Sequence, residues 1–115
     1  MNGARTIVRL ETQIADVLVT ADERALQALQ ADAELFAVVR EAVVELYNVF
    51  RSRIELAYFV DYEDEHPTPQ VVVTALPQLP FARAHALMDN VRDRWLLPNM
   101  NRAGGRFALD VHPIA

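Results

Sequence analysis

Residues 53–62, RIELAYFVDY, decide the fold because their side chains alternate between two classes. The even-numbered positions from Ile54 to Tyr62 are all apolar, whereas the odd-numbered positions from Glu55 to Asp61 mix charged and apolar side chains. Successive side chains of a β-strand point to opposite faces of the sheet. The stretch therefore predicts a strand with one strictly apolar face and one mixed face.

A second strand is predicted over residues 70–76, QVVVTAL, which are apolar on both sides. Such a run is typical of a strand that is buried on both faces. The segment 63–69 between the two strands contains Pro67 and Pro69. We therefore expect a hairpin loop there, because proline interrupts a strand.

Two helices and a third strand are predicted around this hairpin. Residues 33–50, AELFAVVREAVVELYNVF, carry a wide apolar stripe at helical spacing, with Asp32 as the N-cap. A second helix is expected over 81–97, with Pro80 suited to its first position. The segment RFALDVHPI, 106–114, predicts the last strand.

The predicted order from residue 33 is α-β-β-α-β. It indicates an α+β fold, a two-layer sandwich in which two helices cover one face of a three-stranded sheet. A right-handed crossover should place the third strand parallel to the second. Whether the third strand lies beside the first or beside the second stays open. We expect one domain over 1–115, with an N-terminal extension over 1–31 and the core over 32–115.

The N-terminal extension allows two interpretations. Residues 5–19, RTIVRLETQIADVLV, place apolar side chains at helical spacing, but the start TIVRL has the composition of a strand. The choice between helix and strand therefore stays open. Thr20 and Glu23 fit a capping box, which predicts a short helix over 21–30.

The second face of the predicted sheet is too apolar to stay bare. Its apolar members are Ala57, Phe59, Val72 and Leu76. Large exposed apolar patches usually mark an interface. We therefore expect the N-terminal segment or another chain to cover this face, and we predict a two-fold homodimer.

The loop after the last helix has the composition of a protein interface. The stretch WLLPNMNRAGGRF, 95–107, combines the single tryptophan with asparagine and arginine. Tryptophan and arginine are enriched where binding energy is concentrated. The residues predicted to contact a partner are Trp95, Asn99, Asn101, Arg102 and Arg106.

Four carboxylates and a histidine lie together in DYEDEH, 61–66. A calcium loop would need a glycine at its sharp turn, and paired catalytic carboxylates would need a pocket. A hairpin tip between two strands offers neither, so we interpret the stretch as a solvated turn. If it has a role, we expect an acidic patch for a partner's arginines. That patch consists of Asp61, Glu63, Asp64 and Glu65.

The sequence contains no recognisable catalytic constellation. The absence of cysteine excludes disulfides, zinc–cysteine sites and thiol catalysis. His85 and His112 have no predicted nucleophile or acid beside them, so we interpret both as structural. No nucleophile elbow, metalloprotease motif or phosphate-binding glycine loop occurs. We therefore predict no enzymatic activity, no metal and no cofactor.

The charge balance restricts the partners. The formal net charge is −5, and all 11 basic residues are arginine. This sign disfavours a nucleic-acid partner, although it leaves room for a local basic patch. No apolar run approaches the roughly 18 residues of a membrane span, and the N-terminus carries charges too early for a secretory signal. We expect a cytoplasmic protein with no membrane partner.

An alternative comes from a resemblance at the N-terminus. RTIVRLETQIADVL followed by AVVREAVVEL resembles the opening strand and second helix of a ribbon–helix–helix repressor. In that family a paired strand lies in the major groove of DNA. The resemblance implies a DNA-binding regulator that uses residues 5–10 as its ribbon, with Arg5, Thr6 and Arg9 at the reading positions. It covers 5–45 and departs from the family by a longer spacing before the second helix.

The sequence favours a non-enzymatic protein–protein interaction module that forms a homodimer and also binds another protein. Compact acidic proteins of this kind often serve as the antitoxin-like or accessory partner of a bacterial two-gene system. A small ligand-binding domain is a further alternative. The sequence does not identify the partner.

Overall fold

The computed structural model describes residues 9–114, which form a five-stranded sheet and a layer of helices. The strands are β1 (Arg9–Ile14), β2 (Val17–Asp22), β3 (Arg53–Phe59), β4 (Gln70–Leu76) and β5 (Phe107–Val111). The helices are α1 (Glu23–Ala31), α2 (Ala33–Phe50) and α3 (Phe81–Val91), which continues through a π-helical turn (Arg92–Leu96) and α4 (Leu97–Asn99) to a 3₁₀ turn (Arg102–Gly105). None of these helices is long and apolar enough to cross a membrane.

The strands lie in the order β1-β2-β3-β4-β5. β1 and β2 form one antiparallel hairpin, and β3 and β4 form another. The pairs β2–β3 and β4–β5 are parallel, and helices connect the strands of each pair. The predicted fold class is therefore wrong, because the sheet is a mixed sheet of five strands and not three. The sequence left open whether the last strand lies beside the first or the second strand of the predicted hairpin. In the structure this strand, β5, lies beside the second one, β4.

The two additional strands come from the N-terminal extension. Ala15 and Asp16 connect them, and both residues have positive φ, 50° and 64°. Two successive residues of this kind form the type I′ turn that joins tightly paired strands. An Ala-Asp pair lacks the usual glycine, so the sequence carries no turn signal here. The apolar positions around the turn also fit helical spacing, which is why the helix and strand interpretations could not be separated.

The first two helices begin at aspartate caps. α1 starts at Glu23 and is capped by Asp22 rather than by Thr20, which corrects the predicted capping box. One oxygen of Asp22 accepts the N–H of Ala25 at 2.7 Å, and the other accepts the N–H of Tyr58 at 2.9 Å. Asp22 therefore ties the start of α1 to the end of β3. α2 has the predicted bounds and the predicted N-cap, Asp32.

The core lies entirely between the helices and one face of the sheet. The sheet residues buried there are Ile14, Val17, Val19, Ala21, Ile54, Leu56, Val71, Val73, Ala75, Phe107 and Val111. The long helix α2 contributes a full stripe, and α3 contributes Ala84, Met88 and Val91. Every buried side chain in the described part of the chain is apolar, so burial of apolar surface is the main stabilising contribution.

The two parallel crossovers have opposite hands. β2 and β3 run in one direction, β4 and β5 run in the other, and both crossovers step the same way across the sheet. The helices of both crossovers nevertheless share one core on one face. The right-handed preference assumed for the β4–β5 crossover can therefore hold for only one of the two. If both crossovers were right-handed, their helices would lie on opposite faces of the sheet and the core would be divided.

The π-helical turn after α3 follows from Pro98. Proline has no N–H to bond with the carbonyl of Arg94 and would clash with it in a regular helix. The N–H of Leu97 instead bonds to the carbonyl of Arg92, one residue further back than in an α-helix. Within this turn Trp95 lies in the core, and its ring meets the ring of Phe107 edge-on at 6.1 Å.

Candidate protein-interaction surface

The face of the sheet opposite the helices is not covered by any helix of residues 9–114, and we call it the open face. Leu18 and Phe59 on this face are 58% and 53% exposed. The pairing registers and the alternation along each strand place on it Arg9, Glu11, Gln13, Leu18, Thr20, Arg53, Glu55, Ala57, Phe59, Gln70, Val72, Thr74, Leu76, Ala108 and Asp110.

A row of small apolar side chains crosses the open face. Val72 lies opposite Ala57 on one side and opposite Ala108 on the other. Phe59 follows Ala57 on the same strand and face, and it is exposed. The apolar row therefore consists of small side chains with an exposed aromatic at its side. Such a surface suits a helix or sheet of another protein, because flat packing buries apolar area on both partners.

A polar row runs beside the apolar row and carries negative charge. Glu11, Glu55 and Asp110 alternate along it with Thr20 and Thr74. The guanidinium of Arg9 lies 2.7 Å from Glu55, and that of Arg53 lies 3.9 Å from the same carboxylate oxygen. Even with these arginines the row has no excess of positive charge. Binding to a phosphate backbone requires such an excess, so the open face does not suit nucleic acid.

The structure brings together three of the predicted partner-contact residues, Phe59, Val72 and Leu76, on the open face. It places the other five at the helical side of the sheet. Trp95 is only 8% exposed, so it is a core residue. The side-chain amide of Asn99 donates to the carbonyl of Trp95 at 2.7 Å and closes the end of the helix.

Two arginines of the predicted interface loop bind acidic residues, one on α2 and one at its N-cap. Arg102 donates to both carboxylate oxygens of Glu41, at 3.0 and 2.6 Å. Arg106 forms an ion pair with Asp32 and donates to the carbonyl of Ala103. These contacts attach the loop to α2 and leave Asn101 as its exposed polar side chain.

The same contacts shift the ionisation of the acids. The N–H of Leu35 and then the guanidinium of Arg106 lower the pKa of Asp32. The hydrogen bonds from Arg102 lower the pKa of Glu41, and Glu41 in turn raises the pKa of Arg102. The charged forms of both acids are therefore favoured by the fold.

The acidic patch lies in the exposed loop after β3. β3 ends at Phe59 rather than continuing to Tyr62, which is 78% exposed. Asp61 accepts the N–H of Glu63 at 3.0 Å, and Asp64 accepts the N–H of His66 at 3.1 Å. These are local turn contacts in which each carboxylate accepts the backbone N–H two residues further along the chain. Within residues 9–114 no group of three His, Cys, Asp or Glu side chains is arranged to hold a metal ion.

The ribbon predicted from the resemblance falls partly outside the described residues, which begin at Arg9. Arg5 and Thr6 are among those not described. Arg9 and Leu10 lie in β1, which pairs with β2 of the same chain. The rings of His85 and Phe81 are tilted by 38° with centroids 4.1 Å apart, and the backbone N–H of His112 donates to the carbonyl of Ala75.

Two apolar residues of the open face, Leu18 and Ala108, were predicted neither as partner contacts nor as members of an apolar sheet face. Leu18 belongs to VLVTAD, 17–22, whose alternation is clear once the segment is known to be a strand. Ala108 was assigned to the last strand, but the position of that strand was open. Ala108 lies opposite Val72 and therefore completes the apolar row.

Comparison of the chain with protein-family models, with curated proteins and with solved structures finds no match. The case for a function therefore depends on the surface itself.

Proposed function

We propose that this chain is a non-enzymatic, cytoplasmic protein–protein interaction module that forms a homodimer and binds a partner protein through its open face. The observation that carries the proposal is the placement of every long helix on one side of the sheet. The apolar row of Ala57, Val72 and Ala108 is thereby left uncovered by residues 9–114. A sheet face of this kind is stabilised when a partner removes it from water.

The charges of the open face indicate the chemistry of the partner. Glu11, Glu55 and Asp110 form its polar row. A complementary surface would set apolar side chains against the apolar row and arginine or lysine against the polar row. A small acidic chain that binds a basic partner in this way fits an antitoxin-like or accessory role in a bacterial two-gene system.

The test is affinity capture from the native cell with two matched variants. Ala57→Arg places a long charged side chain in the centre of the apolar row. Ala86→Arg makes the same change at an exposed position on α3, on the helical side. Both sites are exposed, so we expect each variant to fold with a free energy of unfolding within about 0.5 kcal/mol of the wild type.

We expect the wild-type chain and Ala86→Arg to retain the same protein in stoichiometric amount, and Ala57→Arg to lose it. Equal retention by both variants would show that the open face is not the binding surface. Circular dichroism of each variant before capture confirms that a lost partner does not reflect a lost fold.

A further inference from the structure

β1 forms one edge of the sheet and, in the part of the chain that the structure describes, pairs with β2 alone. An edge strand presents unpaired N–H and C=O groups to any strand that approaches. Proteins usually protect such an edge with proline, charged side chains or a bulge. The sequence of β1, RLETQI, contains no proline, and its register with β2 is uninterrupted. Its charged side chains are Arg9, which is paired with Glu55, and Glu11. As far as residues 9–114 are concerned, this edge is available to another strand.

The turn fixes which residues of β1 point outward along the sheet. A two-residue hairpin turn is closed by a pair that exchanges both backbone hydrogen bonds, here Ile14 and Val17. The hydrogen-bonding direction alternates along a strand, so Thr12 and Leu10 also direct their backbone groups towards β2. Glu11 and Gln13 direct theirs to the free edge.

An apolar groove of about 330 Å³ lies beside β1 on the helical side. Leu26, Leu29 and Phe36 line it together with Ile14 of β1. Phe36 is 40% exposed, and Leu10, which faces the same side, is 42% exposed. Apolar side chains beside the edge of β1 are therefore partly exposed to water.

We propose that β1 of two copies pair antiparallel, edge to edge, in a register centred on Thr12. The pairing rests on the homodimer of the proposed function and assigns it a surface. Glu11 of each copy exchanges both backbone hydrogen bonds with Gln13 of the second copy. Leu10 of the second copy lies beside Ile14, at the mouth of the groove.

The neighbouring registers fit less well. The outward backbone groups can match only when a residue lies opposite itself at the two-fold axis. Centring on Glu11 sets two like charges directly opposite each other, which is destabilising. Centring on Gln13 sets Ile14 opposite Thr12 and leaves Leu10 beyond the paired strand. A register centred on Thr12 sets Thr12 opposite Thr12 and Leu10 opposite Ile14. It also sets Glu11 opposite the uncharged side chain of Gln13.

The edge pairing also explains how a homodimer and a partner-binding face coexist. The two-fold axis of an antiparallel edge pair is perpendicular to the sheet, so both layers of helices lie on one side. Both open faces lie on the other side and form one continuous surface. A partner could therefore bind the dimer without competing with dimerisation.

The register is tested by Thr12→Cys. The chain has no cysteine, so this thiol is the only one present. Thr12 faces itself at a non-hydrogen-bonded position, where the Cα atoms of the two copies lie about 4.5 Å apart, within the range that a disulfide spans. We expect mild oxidation to convert most of the variant to a covalent dimer on a non-reducing gel.

Two further cysteine variants serve as controls. Leu10→Cys would cross-link only if the register were centred on Leu10. Thr74→Cys, in the middle of the open face, would cross-link only if two copies stacked through their open faces. A covalent dimer from either control, or none from Thr12→Cys in a sample of dimer mass, overturns the proposal. A sample of chain mass contradicts the homodimer itself, so the two failures are distinguishable.

A proline substitution provides an independent test. Glu11→Pro removes an N–H that faces the free edge, where proline is tolerated. We expect this variant to keep the fold and to elute at the chain mass. Thr12→Pro removes an N–H that bonds to β2 and should instead lower the melting temperature. A Glu11→Pro variant that remains fully dimeric would overturn the edge pairing.

Discussion

The residues Ala15 and Asp16 occupy a backbone conformation that other residues adopt more easily. Both have positive φ, which costs an L-residue with a Cβ roughly 1 kcal/mol or more. Asparagine followed by glycine is the preferred pair for this turn. We expect Ala15→Asn combined with Asp16→Gly to raise the free energy of unfolding by about 1 kcal/mol. Urea denaturation followed by Trp95 fluorescence measures the change.

The opposite substitution at the same turn is the control. Ala15→Val places a β-branched side chain at positive φ, where it is an outlier. It should lower the free energy of unfolding. If both changes were neutral, the type I′ turn between β1 and β2 would be wrong, and the helix interpretation of residues 5–19 would return.

At the residue scale, strand alternation predicts the face of the sheet on which a side chain lies. Phe59, Val72 and Leu76 follow from strand alternation, and the open face contains all three. The loop residues Arg102 and Arg106 were predicted as partner contacts because of their type. Their observed contacts, Glu41 and Asp32, lie far away in sequence, on α2 and at its N-cap. The residue types of the loop do not indicate which distant residues its arginines will bind.

At the scale of elements, two ion pairs attach the segment before β5 to α2. Asp32 and Glu41 both have a folded-state pKa below their usual values of 3.8 and 4.5. A lowered pKa means that the folded state binds fewer protons than the unfolded state, so stability rises with pH in this range. The contribution is present at neutral pH and is lost as the pH falls through these usual values and then the lowered ones.

We therefore expect the melting temperature to fall when the pH is lowered from about 6 to about 3. The double variant Asp32→Asn and Glu41→Gln should show a smaller fall, because neither side chain can then titrate. Asp32→Asn keeps an oxygen that can accept the N–H of Leu35, which separates the charge from the cap. An unchanged pH dependence in the double variant would contradict this assignment.

The elements that the sequence predicted are those with one clear periodicity. α2, β3, β4, α3 and β5 each fit a single template, and the structure contains all of them. β1 and β2 fit two templates at once, since their apolar residues match both a helix and two strands. The strand conformation of this segment depends on a turn without glycine and on the pairing of β2 with β3. Local residue propensity does not predict that pairing.

At the scale of the whole molecule, the arrangement of layers determines which surface is free. Five strands with helices on one side leave a whole sheet face and a long edge uncovered by residues 9–114, whereas three strands would have left much less. The sequence predicted an uncovered face but not its extent. The extent depends on the hairpin of β1 and β2, which widens the sheet instead of folding over it.

The mass of the chain in solution tests whether it works through contact with other protein chains, first of all with its own copy. Light scattering after size exclusion at micromolar concentration should give about twice the chain mass of 13.0 kDa. The value should hold at high salt, because backbone pairing and apolar contacts are little affected by ionic screening. A single species at the chain mass would contradict the proposed homodimer.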